Sequence, residues 1–239
     1  MTFLVLASAL LWTGAGLTAA GSGARRDDSR LLDRFFEKDD SPPLCSFSAV
    51  RHLTASNKRY NVTAWLDVQT KLDPMMGFQF KIIGEGGSSY IRTHVLKKAL
   101  EREAMARKER ELGRAALTRA NYAFGDSMPD DMGLLRINIQ PRRREELLVD
   151  GTILVTSAEA DLVRIEGRLA KNPSVWTKRV DIVRRYERVN GVRVPVEMSS
   201  TADVLIAGHS SFTMRYDYES VNGVRVGEAS DSHPAAGCR

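Results

Sequence analysis

The sequence predicts an α+β fold that is mainly antiparallel β, a curved half-barrel sheet with helices covering one face. Three observations predict it. Apolar and polar residues alternate in short runs between positions 60 and 227. Tight-turn signals such as Asn190-Gly191 and Asn222-Gly223 join many of these runs, and short turns force antiparallel neighbours. A single helical interruption, residues 89–120, divides the runs, and so wide a sheet tends to curl.

Residues 1–24 have the features of a secretory signal peptide. They carry no charge, the apolar run spans 3–11, and small residues at Ser22 and Ala24 resemble a cleavage site. No basic residue precedes the run, and the alternative is an uncleaved anchor, although a bilayer span needs about 20 apolar residues. We therefore predict export to the periplasm or cell envelope.

The residues that follow, 25–59, are predicted to form an N-terminal helical segment. Ser29 can cap a short helix. The apolar stripe of that helix has helical spacing and contains Leu31, Leu32, Phe35 and Phe36. A second short helical piece is predicted from Ser46 to Ser56.

The half-barrel domain is predicted to span residues 60–227. Val62, Ala64, Leu66 and Val68 alternate with polar residues, as in a half-buried strand. A second strand follows and ends at the glycine-rich stretch 84–87. The helical insertion 89–120 then begins, and its second half is densely charged.

From residue 134 onward the chain is predicted to be a meander of strands. Asp150-Gly151, Asn190-Gly191 and Asn222-Gly223 are hairpin signals. The segment 186–194 closely matches 218–226, which two similar hairpin corners would explain. Residues 228–239 are predicted to be a disordered tail.

Composition limits the classes of partner. The chain has 239 residues, 43% hydrophobic and 27% charged, with a formal net charge of +5. For an exported protein, anionic lipid headgroups are more natural partners than nucleic acid, so we predict no nucleic-acid partner and possible peripheral membrane contact. A solvated basic surface is the alternative. The two cysteines, Cys45 and Cys238, could form a disulfide, which the sequence leaves open.

The sequence contains no pattern that identifies a catalytic or metal site. Its four histidines, His52, His94, His209 and His233, have no metal-ligand spacing. There is no G-x-S-x-G motif, and Ser210-Ser211 beside His209 is better explained by hairpin polarity. We therefore predict no enzyme activity, no catalytic residue, no metal and no cofactor.

Large apolar side chains on the strands are the remaining candidates for function. Helices closing over a curved sheet would enclose an apolar cavity for an acyl chain, and the alternative is an ordinary sheet–helix core. The candidate cavity residues are Trp65, Phe78, Phe80, Trp176, Phe212, Met214 and Tyr216.

Three stretches carry a resemblance to known proteins: 148–155, 161–171 together with 176–177, and 192–195. The chain resembles, over about residues 30–226, uncharacterised bacterial exported proteins similar to the periplasmic lipoprotein carriers LolA and LolB and the sensor RseB. The resemblance implies an incomplete antiparallel barrel with a helical lid over an apolar cavity.

The leading hypothesis is therefore a periplasmic protein that binds a lipid or an acylated lipoprotein in an apolar cavity. The first alternative is an envelope sensor or scaffold that binds another protein. The second is a hydrolase, which would need Ser, His and Asp together in one pocket.

Overall fold

The computed structural model of the protein describes residues 30–37, 42–108, 112–172, 177–205 and 208–227. The predicted signal peptide 1–24, the predicted tail 228–239, Trp176 and Cys238 lie outside the described residues. Cys45 is disulfide-bonded, whereas the sequence alone leaves open whether Cys45 and Cys238 form a disulfide.

The chain is mostly antiparallel β with a few helices. Helix α1 spans residues 30–37. A helical connection follows the third strand and consists of α2 (Ser89–Ile91), a π-helical stretch (Arg92–Lys97), α3 (Lys98–Lys108) and α4 (Leu112–Ala115). The strands are β1 (Phe47–Asn57), β2 (Val62–Asp73), β3 (Gly77–Gly87), β4 (Tyr122–Pro129), β5 (Leu134–Pro141), β6 (Val149–Thr156), β7 (Leu162–Leu169), β8 (Thr177–Val189), β9 (Val192–Val204), β10 (Gly208–Val221) and β11 (Val224–Arg225). None of the described helices is long and apolar enough to cross a bilayer.

All eleven described strands belong to one open sheet with the order β3-β2-β1-β10-β9-β8-β7-β6-β5-β4, and β11 pairs with β10. Each pairing is antiparallel. The chain therefore returns at β10 to pair with its own first strand. This return leaves β3 and β4, which are neighbours in sequence, at opposite edges of the sheet.

The predicted helical piece Ser46–Ser56 is instead strand β1, so the N-terminal helical segment ends before this point. Strand β1 pairs along its whole length with β2 on one side and β10 on the other. One face of β1 is buried throughout and carries Phe47, Ala49, Arg51, Leu53, Ala55 and Asn57. An arginine within this apolar series conceals the strand period in the sequence.

The turn signals gave mixed results. Asn190 and Asn222 both have φ near +50° and are followed by glycines with positive φ, as a type I′ hairpin requires, so these two predicted turns are confirmed. The hairpin predicted at Asp150-Gly151 is wrong, because both residues lie inside β6. Gly151 faces Gly167 across β7, and a Cβ atom on Gly151 would lie 2.1 Å from the Glu166 carbonyl oxygen. Glycine at position 151 therefore allows β6 and β7 to approach each other closely.

The connection between the two sheet edges crosses the buried face. The edges are about 43 Å apart along the sheet, at roughly 4.8 Å per strand. Ile91, Leu96 and Leu100 belong to a buried cluster on β1, β2 and β10. Leu117, at the end of the connection, belongs to a second cluster that also contains Phe35 of α1 and apolar residues of β4–β8. Helix ends at Ala115, before the predicted limit of 120.

The opposite face of the sheet holds Trp65 against β3. Trp65 is 42% exposed and lies opposite Gly86 in the strand register. A Cβ atom on Gly86 would lie 2.5 Å from Trp65 Nε1, and one on Gly84 would lie 3.2 Å from Trp65 Cζ3. The glycine-rich stretch ends β3, as the sequence predicts. Its residues Gly84 and Gly86 also leave the space that the indole ring of Trp65 occupies.

We expect Gly86→Ala to destabilise the protein by about 1–3 kcal/mol, because the new methyl group overlaps the Trp65 ring. The free energy of unfolding from urea titration measures this effect. In a Trp65→Ala background the same substitution should be neutral or stabilising, since the overlapping ring is gone. Gly113→Ala is the control, because a Cβ atom there meets nothing within 4 Å.

Candidate functional site

A cavity of about 870 Å³ lies between helix α3 and the middle of the sheet. Its helical side is formed by residues of α3 and by Arg114 of α4. Its floor is formed by β7 to β10, and the segment 145–147 lies at one side. This volume is within the range of small-molecule pockets.

The floor of the cavity is largely apolar. Met198, Phe212 and Met214 lie on β9 and β10, with Tyr186 and Tyr216 beside them. The strand register places Met198 directly opposite Met214. Methionine side chains are flexible and polarizable, so they adapt to ligands of different shape.

The rim of the cavity is charged, so the lining as a whole is mixed. Five cationic and three carboxylate side chains line it. Each carboxylate is paired: Glu103 with Arg51 and Arg107, Glu145 with Arg114 and Arg143, and Glu146 with Arg102 and Lys171. The cationic side chains exceed the carboxylates, which leaves the cavity with excess positive charge.

Arg184 differs from the other cations of the lining. It lies on the floor of the cavity, in β8, directly opposite Met198 in the register. Its Nε atom is shielded from solvent and has no hydrogen-bond partner. Among the residues that the structure describes, no carboxylate forms an ion pair with Arg184.

A buried charge cluster attaches α3 to the sheet beside the cavity. The Arg51 side chain is 1% exposed, and it donates to both carboxylate oxygens of Glu103 at 2.5 and 3.2 Å. Arg107 donates to the same carboxylate at 2.9 Å. Aromatic rings surround the Arg51 guanidinium, with centroids 4.5 to 5.5 Å from its carbon: Tyr216, Phe78 and Phe47. Such cation–π contacts compensate a desolvated cation.

The two arginines of this cluster keep Glu103 in its charged form. Burial alone would raise the pKa of Glu103, but Arg51 and Arg107 outweigh it and hold the pKa below its ordinary value. Burial raises the pKa of Tyr216, which therefore stays neutral beside the arginine. Helix α3 has Leu100 as its fully buried apolar anchor. The ion pair is thus the other main attachment of α3 to the sheet.

The candidate cavity residues fall into four places. Phe212, Met214 and Tyr216 line the cavity. Phe78 lies against Arg51, and Phe80 packs on the cluster that contains Leu53 and Leu66. Trp65 lies on the opposite face of the sheet, away from the cavity. Trp176 lies outside the described residues. That any of them contacts a ligand stays a prediction.

The histidines have separate partners. His52, predicted to be helical, lies on β1 with its two ring nitrogens 2.7 Å from Asp67 and 3.0 Å from Asp217, and the hydrogen bond to Asp67 raises its pKa. His209 lies 3.0 Å from Asp203, and the nearby Ser211 bonds Ser56 instead. In the described part of the chain, no group of three or more His, Cys, Asp or Glu side chains could hold a metal ion.

Sequence reasoning missed the arginines of the site. Arg51 and Arg184 share one signal, because each occupies an apolar-parity position in a strand. Leu53 follows Arg51 by two residues, and Ile182 precedes Arg184 by two. A cation at such a position points toward the core and needs a partner there. This pattern would have identified both.

No protein-family model matches the chain, and no curated protein matches it. Solved structures to which it is similar include a DUF1329 family protein from Desulfovibrio piger, with 8% identity, a TM-score of 0.37, and coverage of 80% of this chain and 91% of that one. A putative outer membrane lipoprotein-sorting protein domain from Vibrio parahaemolyticus has 6% identity, a TM-score of 0.37, and coverage of 86% and 95%. A LolA superfamily protein from Nitrosomonas europaea has 9% identity, a TM-score of 0.34, and coverage of 85% and 95%.

We expect Glu103→Gln to lower the free energy of unfolding by about 3 kcal/mol, because it leaves the buried Arg51 without a counter-charge. Denaturant titration measures the change. Glu101→Gln is the matched control on the same helix, since its partner Lys98 is exposed and exposed ion pairs contribute little to stability. Equal losses in the two variants would contradict the assigned role of Glu103.

The stability conferred by Glu103 should depend on pH. Its pKa is lower in the folded than in the unfolded protein, so the contribution is complete above the unfolded value near 4.5. It is lost as the pH falls through the folded pKa, where the carboxylate takes up a proton. Melting temperatures across this acid range should fall less steeply for Glu103→Gln than for the wild type. Parallel curves would be the contrary result.

Proposed function

We propose that the protein is a periplasmic binding protein that holds the acyl part of a lipid or lipoprotein in the cavity between α3 and the sheet. The observation that carries the proposal is the cavity itself, with its floor of Met198, Phe212 and Met214. Its methionine, phenylalanine and tyrosine side chains suit a flexible apolar chain. Each buried CH₂ group of such a chain would contribute about 0.8 kcal/mol.

In this proposal the sheet is curved and the helical connection closes the cavity as a cover. The connection must pass from one sheet edge to the other, and its side chains reach buried clusters at both ends. Between those ends, α3 attaches through Leu100 and the Arg51–Glu103 pair. The section of the connection above the cavity is therefore fixed at few points, which suits a cover that must admit a ligand.

The ligand class and the compartment come from the sequence. The resemblance to lipoprotein carriers implies an acylated ligand, and the signal-peptide features of residues 1–24 imply export. The charged rim modifies the expectation of an apolar cavity, because it favours a ligand with a polar end as well as an apolar chain.

Ligand binding can be tested on protein purified from a cell-envelope fraction. Native mass spectrometry should detect a bound acyl compound, and delipidated protein should bind a fluorescent fatty acyl probe. Protein that carries no lipid and binds no acyl probe would refute the proposal. Recovery of one stoichiometric protein partner without lipid would favour the sensor or scaffold alternative instead.

Ala106→Trp should weaken probe binding about tenfold or more, because the indole ring would occupy the cavity from α3. The dissociation constant of the acyl probe measures this effect. Lys98→Trp is the control, since Lys98 lies on the same helix but is 60% exposed and does not line the cavity. Unchanged binding by Ala106→Trp would place the acyl site elsewhere.

A further inference from the structure

Arg184 on the cavity floor gives information about the charge of the ligand, in addition to the acyl chain proposed above. Removing a guanidinium from water is unfavourable unless hydrogen bonds or a counter-charge compensate for it. Arg51 shows how this protein compensates a buried arginine, with a bidentate carboxylate and three aromatic rings. Arg184 is half-buried, and its Nε is shielded without a partner, as is the Nε of Arg51, but Arg184 has no paired carboxylate among the described residues.

The nearby carboxylates do not offer compensation to Arg184. The three that line the cavity, Glu103, Glu145 and Glu146, each have two cationic partners. Among the described residues no carboxylate is left to pair with Arg184, so an acidic ligand could supply the negative charge. The excess of cations around the cavity would attract the same kind of ligand.

The apolar floor continues directly from Arg184. Across the sheet, the register aligns Arg184 of β8 with Met198 of β9 and Met214 of β10. Adjacent strands are about 4.8 Å apart, so this row leads from the guanidinium to Met214 over roughly 10 Å. A ligand with a charged headgroup at one end could pair with Arg184 while its apolar chain lies along Met198 and Met214.

We propose that the ligand of this cavity is an anionic amphiphile, whose acidic headgroup pairs with Arg184 and whose apolar chain lies along Met198 and Met214. This inference rests on the proposed function and narrows it to acyl compounds with a carboxylate or phosphate group. A planar guanidinium donates to either group through paired hydrogen bonds.

Three probes with the same acyl chain separate the possibilities: palmitic acid in its ionised form, 1-palmitoylglycerol phosphate, and uncharged 1-palmitoylglycerol. Delipidated wild-type protein should bind at least one of the two acids about tenfold or more tightly than the uncharged probe. Which acid is preferred distinguishes a carboxylate source from a phosphate source.

Arg184→Gln should remove this preference by weakening the acids while leaving the uncharged probe unchanged. Arg185→Gln is the matched control, because it removes the same charge from the next residue. The Arg185 side chain is 59% exposed, lies on the other face of the sheet and pairs with Glu197. This control should keep the full preference for the acids.

The stability of the ligand-free protein gives a second readout. Arg184→Gln should be at least as stable as the wild type, because it removes a half-buried cation that has no ion-pair partner among the described residues. A purely structural arginine would instead cause a loss of stability on substitution, which would count against a ligand-binding role.

The failures of the two proposals are distinguishable. If the wild type binds all three probes equally, or if Arg184→Gln weakens all three equally, the anionic-headgroup inference is wrong while acyl binding stands. If no probe binds, the proposed function is wrong, and the inference fails with it.

Discussion

The pairing of β1 with β10 is the constraint on which the rest of the structure depends. It joins the first three strands to the C-terminal meander and makes one sheet of what would otherwise be two. It also forces β3 and β4 to opposite edges, so the chain between them must cross the sheet. That crossing places α3 opposite β8, β9 and β10, where the cavity lies. The position of the site is therefore a consequence of strand order.

Electrostatics supports this arrangement where apolar contact is sparse. Residues 98–108 of α3 are mostly charged, and Leu100 is its fully buried residue. A helix with so narrow an apolar face gains little from hydrophobic burial alone. Glu103 compensates the cation of Arg51, which would otherwise be buried in the sheet without a counter-charge. The Arg51–Glu103 pair therefore neutralises a charge that is buried in the sheet and also attaches α3 to the sheet.

Much of the architecture could be predicted from sequence because most strands here alternate cleanly and several turns carry Asn-Gly. The exceptions have physical causes. The sequence predicts helix instead of strand β1 because Arg51 interrupts the apolar face of the strand, and its partner Glu103 is 52 positions away. The sequence predicts a turn at Gly151 because close strand approach and tight turns both require glycine. The floor residues Phe212 and Met214 are predicted from their size and parity, whereas the only sequence signal of Arg184 is the parity that it shares with Ile182 on β8.

The cavity lies where two apolar clusters of the buried face meet, because Met198 packs against one, Met214 belongs to the other, and both line the cavity. One apolar cluster lies under α1 and β4 to β8, and another lies on β1, β2 and β10 under the start of the connection. On strand β8, Val180 and Ile182 are buried, and the next residue on that face is Arg184. Arg184 therefore adds a cation to the cavity floor, in the same row across the strands as the apolar residues Met198 and Met214.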